Sequence, residues 1–190
     1  MQALDEPAGV GSYFQVVAFP EVPAAEAADL AQTLVAKLVA RGVVLAAPRG
    51  DELSPGYPPG PNAHEHTEPD FEPTRELSHN GLVVETKRSV FHAGQNGIEL
   101  ACRGCAVEFE PDPTTFGDRV GEWFDGDDDA SFSCPVCGHR ERLTDWDGPL
   151  PWVFGHLGLT FWNWPPLLPA FVRSLEDTIG HPARVVHGKL

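Results

Sequence analysis

The four cysteines of the chain are the residues whose type and spacing could do chemistry, and they form two Cys-x-x-Cys pairs. The first pair is Cys102 and Cys105, in Cys-Arg-Gly-Cys, and the second is Cys134 and Cys137, in Cys-Pro-Val-Cys-Gly. A turn of this spacing points two sulfurs at one centre, and two facing turns complete a tetrahedral site of four thiolates. That geometry suits Zn²⁺, and iron takes the same ligands. The pattern therefore predicts one metal ion held by Cys102, Cys105, Cys134 and Cys137.

Residues 98–146 resemble a zinc ribbon, whose cysteine turns commonly read Cys-Pro-x-Cys-Gly, as residues 134–138 do. The resemblance implies a structural zinc ion on the four cysteines, held by turns on two hairpins. It implies no single activity, since ribbons serve in nucleic-acid binding, protein docking and bracing alike. The sequence departs from the pattern in the 28 residues between the two pairs, against about 15–20 in the usual ribbon. We interpret the surplus, an acidic stretch around residues 118–129, as a longer loop that leaves the ligands in place.

Alternatives to a structural metal have less support. A disulfide or a redox dithiol remains open, but two pairs without a fifth cysteine favour a metal. Four protein ligands leave no position for a reacting water, so the site is expected to be structural and not catalytic. His139 follows the second pair closely and could replace one ligand, although four cysteines already saturate the centre.

Two further patterns contain residue types that bind ions. His64, Glu65 and His66, with His79 nearby, lie in a proline-rich segment, where we expect solvated side chains because no helix or strand fixes their geometry. The acidic run at 125–129 hints at a calcium loop. It lacks the required glycine and glutamate at the sixth and twelfth positions, so we reject that interpretation.

The distribution of charge limits the classes of partner. The 190 residues carry a formal charge of −15, of which −5 lies in residues 48–80 and −7 in residues 101–146. Such a surface repels phosphate backbones, so we expect neither nucleic acid nor an anionic membrane as a partner, whereas a basic protein would fit. The start of the chain has no basic or apolar run, and no stretch reaches the roughly 18 apolar residues of a membrane span. We expect a cytoplasmic protein.

The elements that must position the cysteines fall in two similar halves. Residues 13–19 predict a strand, residues 23–41 a helix with leucines every four residues, and residues 43–46 a short strand. Residues 159–164, 167–179 and 184–187 repeat this order, with similar proline-containing turns between strand and helix. Two βαβ halves sharing one sheet make an α+β, ferredoxin-like sandwich with both helices on one face.

Everything between the halves is then an insertion. The expected organisation is a first half at 1–47, a proline-rich acidic loop at 48–80, an inserted β-hairpin and zinc ribbon at 81–146, and a second half at 147–190. The hairpin is expected to pair residues 82–91 with residues 98–101 through the turn at 94–97.

An aromatic run extends from Trp152 to Trp164 and also includes Phe154, Phe161 and Trp162. Strand alternation places Trp162 and Trp164 on one face and Phe161 on the other. One face must meet the helices, and the second must meet solvent, the inserted module or a ligand.

Three functional hypotheses follow. We favour a non-enzymatic protein whose zinc ribbon braces an acidic module that docks a protein partner. Nucleic-acid binding through the ribbon would use Arg103, Arg119, Arg140 and Arg142, which are outnumbered by eleven acids in residues 101–146. An enzyme would need an active site between the open sheet face and the proline-rich loop, with His79, His92 or His156 and a carboxylate.

Overall fold

The computed structural model describes residues 12–48, 56–69 and 80–190. In these residues it contains three α-helices, α1 (Ala24–Ala40), α2 (Pro113–Phe124) and α3 (Pro169–Ile179). The strands are β1 (Tyr13–Ala18), β2 (Gly81–Glu85), β3 (Ser89–Phe91), β4 (Glu99–Ala101), β5 (Glu108–Phe109), β6 (Ser131–Ser133), β7 (Arg140–Arg142), β8 (Asp147–Leu150), β9 (Val153–Gly155), β10 (Gly158–Trp162) and β11 (Arg184–Lys189). The fold is thus of the mixed α+β class, as expected.

A four-stranded antiparallel sheet in the order β11-β1-β10-β2 forms the centre of the molecule. Val16 of β1 lies opposite Thr160 on one side and Val186 on the other, and Val84 of β2 lies opposite Leu159. The first described strand, the last one and a strand from the middle of the sequence therefore belong to one sheet.

Helices α1 and α3 cover one face of this sheet and enclose the main core, as their leucine and aromatic spacing predicts. The core joins buried side chains of α1 and α3, such as Leu34 and Leu175, to Val17 and Phe161 of the sheet. Pro169 begins α3, and Gly180, with a φ of 81°, ends it in the left-handed conformation that favours glycine.

Residues 43–46, where we expected a strand, form no strand of the sheet, and the next described strand after α1 is β2. Val44 forms only an isolated bridge to Pro59, and β2 occupies the sheet position next to β10. Leu82 of β2 is buried in the helix-covered core, with Val84 partly buried beside it. The expected pairing of 82–91 with 98–101 is therefore wrong: the alternation of β2 reflects a sheet strand with one face on the core, not half of a hairpin.

The second face of the sheet is covered by residues from the middle of the chain. Phe91 of β3, Ala93 and Val153 of β9 pack on Phe14 and Val186. Gly158 in β10 leaves room for this layer, because a Cβ there would overlap the Phe91 ring. Of the three alternatives for this face, solvent, the inserted module or a ligand, the inserted module supplies Phe91 and Ala93, and Val153 completes the cover.

The aromatic run divides differently from the expectation. Phe161 and Trp164 belong to the same core, with ring centroids 5.1 Å apart, while Trp162 packs against Phe14 on the opposite face. Strand alternation ends at Asn163, whose φ of 52° reverses the side-chain direction. The expectation that Trp162 and Trp164 share a face is therefore wrong.

Strands β3 and β9 form a two-stranded layer between the sheet and the cysteine-containing module. Phe91 and Val153 point to the sheet core, whereas Val90 and Phe154 contact the second core, which includes Leu100, Phe116, Trp123 and Trp146. One small sheet thus joins two hydrophobic cores.

The 28 residues between the cysteine pairs contain a helix and are not simply a longer loop. Asp112 caps α2 by accepting a hydrogen bond of 2.9 Å from the Thr115 N–H, and Pro113 occupies its first turn. Phe116 and Trp123 are buried against the module core. The helix therefore adds two large aromatic side chains to the core of the module.

The proline-rich segment is described only at 56–69, where it packs on the main body. Ala63 and Thr67 are buried, and Thr67 bridges to Leu167 before α3. His79 and the rest of the expected loop lie outside the described residues. No helix in the described ranges has the length and apolar character that a bilayer span requires.

Candidate metal centre

The four cysteines converge on one point. Their sulfur atoms all lie within 4.8 Å of one another, with 3.6 Å between Cys102 and Cys137 and 3.9 Å between Cys105 and Cys134. A tetrahedron of sulfurs at about 2.3 Å from a zinc ion has edges of about 3.8 Å. A cystine bond would measure about 2.05 Å, and all four residues are free thiols. The observed spacing fits an ion between the two turns.

The first turn follows β4 and is closed by three hydrogen bonds from backbone N–H groups. The Cys102 N–H donates to the Val107 carbonyl (2.9 Å), and the Ala106 N–H donates back to the Cys102 carbonyl (2.8 Å). The Gly104 N–H points at Cys102 Sγ, at 3.3 Å. These bonds fix the direction in which the first pair of sulfurs points.

The second turn, between β6 and β7, repeats the same bonds at the same positions. The Cys134 N–H donates to the His139 carbonyl (2.8 Å), and the Gly138 N–H donates to the Cys134 carbonyl (3.0 Å). The Val136 N–H points at Cys134 Sγ, at 3.4 Å. Two unlike sequences, Cys-Arg-Gly-Cys and Cys-Pro-Val-Cys, thus form equivalent turns.

Both turns need a residue in the left-handed conformation directly after the second cysteine. Gly138 has a φ of 75° and Ala106 a φ of 58°. The Cys-Pro-x-Cys-Gly motif includes Gly138, but the sequence gives no sign that Ala106 occupies the equivalent place, because alanine rarely adopts positive φ.

The pKa values of the cysteine thiols are shifted in different directions. Burial opposes ionisation of Cys134, yet backbone N–H groups of Cys137 and Val136 help to lower its pKa to about 7. At Cys105 the Val107 N–H favours the thiolate, but burial and the three neighbouring thiols raise the pKa to about 12. A divalent cation is what allows four thiolates to exist together.

Each turn contributes one buried and one exposed cysteine. Cys102 and Cys134 are each 2% exposed and belong to the module core with Phe116 and Trp123, whereas Cys105 and Cys137 are exposed. An ion at this place would therefore tie the core of the module to its outer turns. With four thiolates around it, such an ion is coordinatively closed.

The residues considered as alternative ligands or nucleic-acid contacts have other partners. His139 Nε2 donates to Glu141 Oε1 at 2.6 Å. The arginines of the module pair within the chain: Arg103 with Glu141, Arg119 with Glu122, Arg142 with Asp145, and Arg140 with the Ser131 hydroxyl. Sequence reasoning missed Glu141, a half-buried residue that contacts both His139 and Arg103.

The candidate histidines are not gathered into a second metal cluster in the described ranges. His66 stacks on Phe171 at 4.7 Å and its Nε2 lies 3.4 Å from Arg41, while His64 contacts the Pro61 carbonyl. His92 Nδ1 accepts from the Gly94 N–H. A groove between α1 and β2 is lined by neither a histidine nor a carboxylate.

The acidic run after α2 is exposed but anchored at one point. Arg88 lies over the Trp123 ring at 3.9 Å, donates to the Trp123 carbonyl at 2.6 Å and pairs with Asp128 at 2.7 Å. Asp125, Asp127 and Asp129 remain exposed. Arg88, another residue that sequence reasoning missed, thus holds the base of the run while the other carboxylates face solvent.

Comparison of the chain with known protein families, with curated proteins and with solved structures gives no match.

Proposed function

We propose that this chain is a non-enzymatic zinc-binding protein in which a structural ion on Cys102, Cys105, Cys134 and Cys137 braces an acidic module that docks a basic protein partner. The observation that carries the proposal is the convergence of four sulfurs within 4.8 Å on two turns with matching hydrogen bonds. The same features support the zinc-ribbon assignment. The ion would supply charge compensation and cross-linking, and iron would find the same four ligands.

We infer a split ferredoxin-like arrangement around this module. The halves would be β1-α1-β2 and β10-α3-β11, and residues 86–157 would be inserted between them. The strand order β11-β1-β10-β2, with α1 and α3 on one face, supports this arrangement. Compared with the organisation expected from sequence, β2 moves from the insertion to the first half.

A structural role fits the surroundings of the site better than catalysis does. Four thiolates leave no open position on the ion. The sheet face that would have held an active site is covered by Phe91, Ala93 and Val153. Two Cys-x-x-Cys pairs without a fifth cysteine also fit a reducing compartment such as the cytoplasm better than a disulfide framework does.

The charge of the module favours a basic protein over nucleic acid. Three of the four arginines near the cysteines already pair with carboxylates, while Asp125, Asp127 and Asp129 face solvent. Opposite charges on the two partners would speed their encounter and make it sensitive to salt.

Two measurements test the proposal. Elemental analysis of the purified full chain should give one zinc or iron per molecule, and none after all four cysteines are changed to serine.

A low-salt titration tests the partner. A labelled lysine-rich peptide should bind the metal-loaded chain, and D125N/D127N/D129N should weaken that binding. A short labelled DNA duplex, titrated under the same conditions, tests the competing nucleic-acid assignment. Tight binding of the DNA, or equal peptide binding by the variant, would contradict the partner assignment.

A further inference from the structure

A charged cluster joins the two cysteine turns beside the sulfurs. Arg103 lies between Cys102 and Cys105 in the first turn, His139 follows the second turn, and Glu141 lies on β7. His139 Nε2 donates to Glu141 Oε1 at 2.6 Å, and Arg103 Nη1 lies 3.3 Å from Glu141 Oε2. One carboxylate therefore contacts both turns.

The carboxylate is buried, while its partners reach solvent. The Glu141 side chain is 9% exposed, against 63% for Arg103 and 38% for His139. Burying a carboxylate costs free energy that only well-placed partners offset. Among the residues that the structure describes, Glu141 Oε2 accepts no hydrogen bond, so the ion pair with Arg103 is what compensates it.

The first turn also meets the His139 side chain at Gly104. A Cβ on Gly104 would stand 2.8 Å from the Cβ of His139, which is closer than real Cβ atoms approach. Glycine at this place lets His139 lie on the first turn, and from there His139 reaches Glu141. The glycine of Cys-Arg-Gly-Cys and the buried carboxylate thus serve the same contact between the turns.

We propose that Glu141 is a positioning residue of the metal site, which holds the two cysteine turns at the separation where four sulfurs converge. This inference rests on the proposed function, since it takes the cysteines as metal ligands. Thiolates repel one another until a cation arrives, so a contact that keeps the turns together lowers the cost of assembling the site. Loss of a group that orients metal ligands typically lowers metal affinity about 10–100-fold.

The test is a Zn²⁺ competition titration of the full chain, metal-free and reduced, against a chromophoric chelator. The proteins compared are the wild type, Glu141→Gln, Arg103→Met and the double variant. Glu122→Gln is the matched control, because it also removes a carboxylate from an arginine pair, with Arg119, but on the surface of α2. Absorption spectra of the Co²⁺-loaded proteins report the ligand set.

Glu141→Gln is expected to weaken Zn²⁺ binding about 10–100-fold, and Arg103→Met to weaken it less. The double variant should bind no more weakly than Glu141→Gln, because both changes break one contact and their effects do not add. The saturated Co²⁺ spectra should remain those of four thiolates. Glu122→Gln should bind like the wild type.

Wild-type affinity in Glu141→Gln, or losses that simply add in the double variant, would overturn the proposal. If Glu141→Gln fails to fold, Arg103→Met carries the test, since Arg103 is exposed; wild-type affinity in that variant would then overturn it. A wild-type chain that takes up neither Zn²⁺ nor Co²⁺ would instead refute the proposed function itself.

Discussion

Ala106 and Gly138 occupy the same place in the two cysteine turns and share the left-handed backbone conformation, with φ of 58° and 75°. Each donates its N–H to the carbonyl of the first cysteine of its own pair. In the second turn this conformation is adopted by a glycine, at little cost. In the first turn it is adopted by an alanine, for which it is unfavourable.

Exchanging these two residue types should change stability in opposite directions. Gly138→Ala is expected to lower the free energy of unfolding by about 1–2 kcal/mol, the cost of a left-handed L-residue. That cost is purely conformational, because no atom lies within 4 Å of the added Cβ. Ala106→Gly should raise the free energy of unfolding by up to about 1 kcal/mol. Urea unfolding of the metal-loaded chain measures both.

Gly117→Ala is the matched control for that pair of variants. Gly117 lies inside α2, and a Cβ there also meets nothing within 4 Å. Because its backbone is helical, alanine should stabilise the chain by about 1 kcal/mol. Destabilisation by Gly117→Ala, or stabilisation by Gly138→Ala, would contradict the conformational explanation.

Removal of the metal should loosen one part of the chain and spare another. Cys102 and Cys134 are part of the core formed with Phe116 and Trp123, so the module should lose its packing when the ion is chelated. The sheet and its helices have a separate core. Hydrogen exchange should therefore rise across residues 98–146 and stay slow in β1, β10 and β11. Loss of protection along the whole chain as one unit would refute the inserted-module proposal.

Phe91 and Gly158 form a tight contact between the covering layer and the sheet. Phe91→Ala is expected to cost about 3–5 kcal/mol, because the ring is 6% exposed. Gly158→Ala should also destabilise, since its Cβ would overlap that ring. In the double variant the overlap disappears, so urea unfolding should show a loss smaller than the sum of the two single losses. Simple additivity would mean that the ring does not lie on Gly158.

Stability should fall on mild acidification because of two histidines. Burial, with Arg41 nearby, lowers the pKa of His66, and burial with Arg88 nearby lowers that of His156. The unfolded chain then binds more protons than the folded one, so stability is full above about pH 6.5 and declines as the pH falls below it. Asp128 near His156, and Glu65 near His66, partly offset the lowering.

His66→Phe isolates the first of these contributions. It keeps a ring that can stack on Phe171, at 4.7 Å in the wild type, and removes the titrating group. Urea midpoints at about pH 7.5 and about pH 5.5 should differ less in this variant than in the wild type. An unchanged pH dependence would show that His66 does not contribute.

Much of the fold could be predicted because local signals and burial agree there. In α1 and α3 the apolar spacing and the proline-containing turn before each helix point to the same element, and both helices form. The convergence of the cysteines was predictable because two Cys-x-x-Cys turns leave few other arrangements. These features depend on interactions between residues close together in the sequence, so they can be predicted from it.

The errors concern long-range pairing and single backbone angles. The alternation of β2 fits a hairpin and a sheet strand equally well, and only its burial under α1 decides between them. Trp164 lies on the opposite face from the one expected, because Asn163 has a positive φ that the spacing of the residues does not reveal. The cap at Asp112 and the spacing of Phe116 and Trp123 do indicate helix α2. We interpreted the segment as a loop because of its many acidic residues.

X-ray absorption at the metal edge of the purified, reduced chain tests the central claim most directly. Our account predicts one ion per chain, surrounded by four sulfur atoms at about 2.3 Å and no nitrogen or oxygen. A chain without metal, a shell that contains nitrogen or oxygen ligands, or cysteines joined in pairs as disulfides would contradict it.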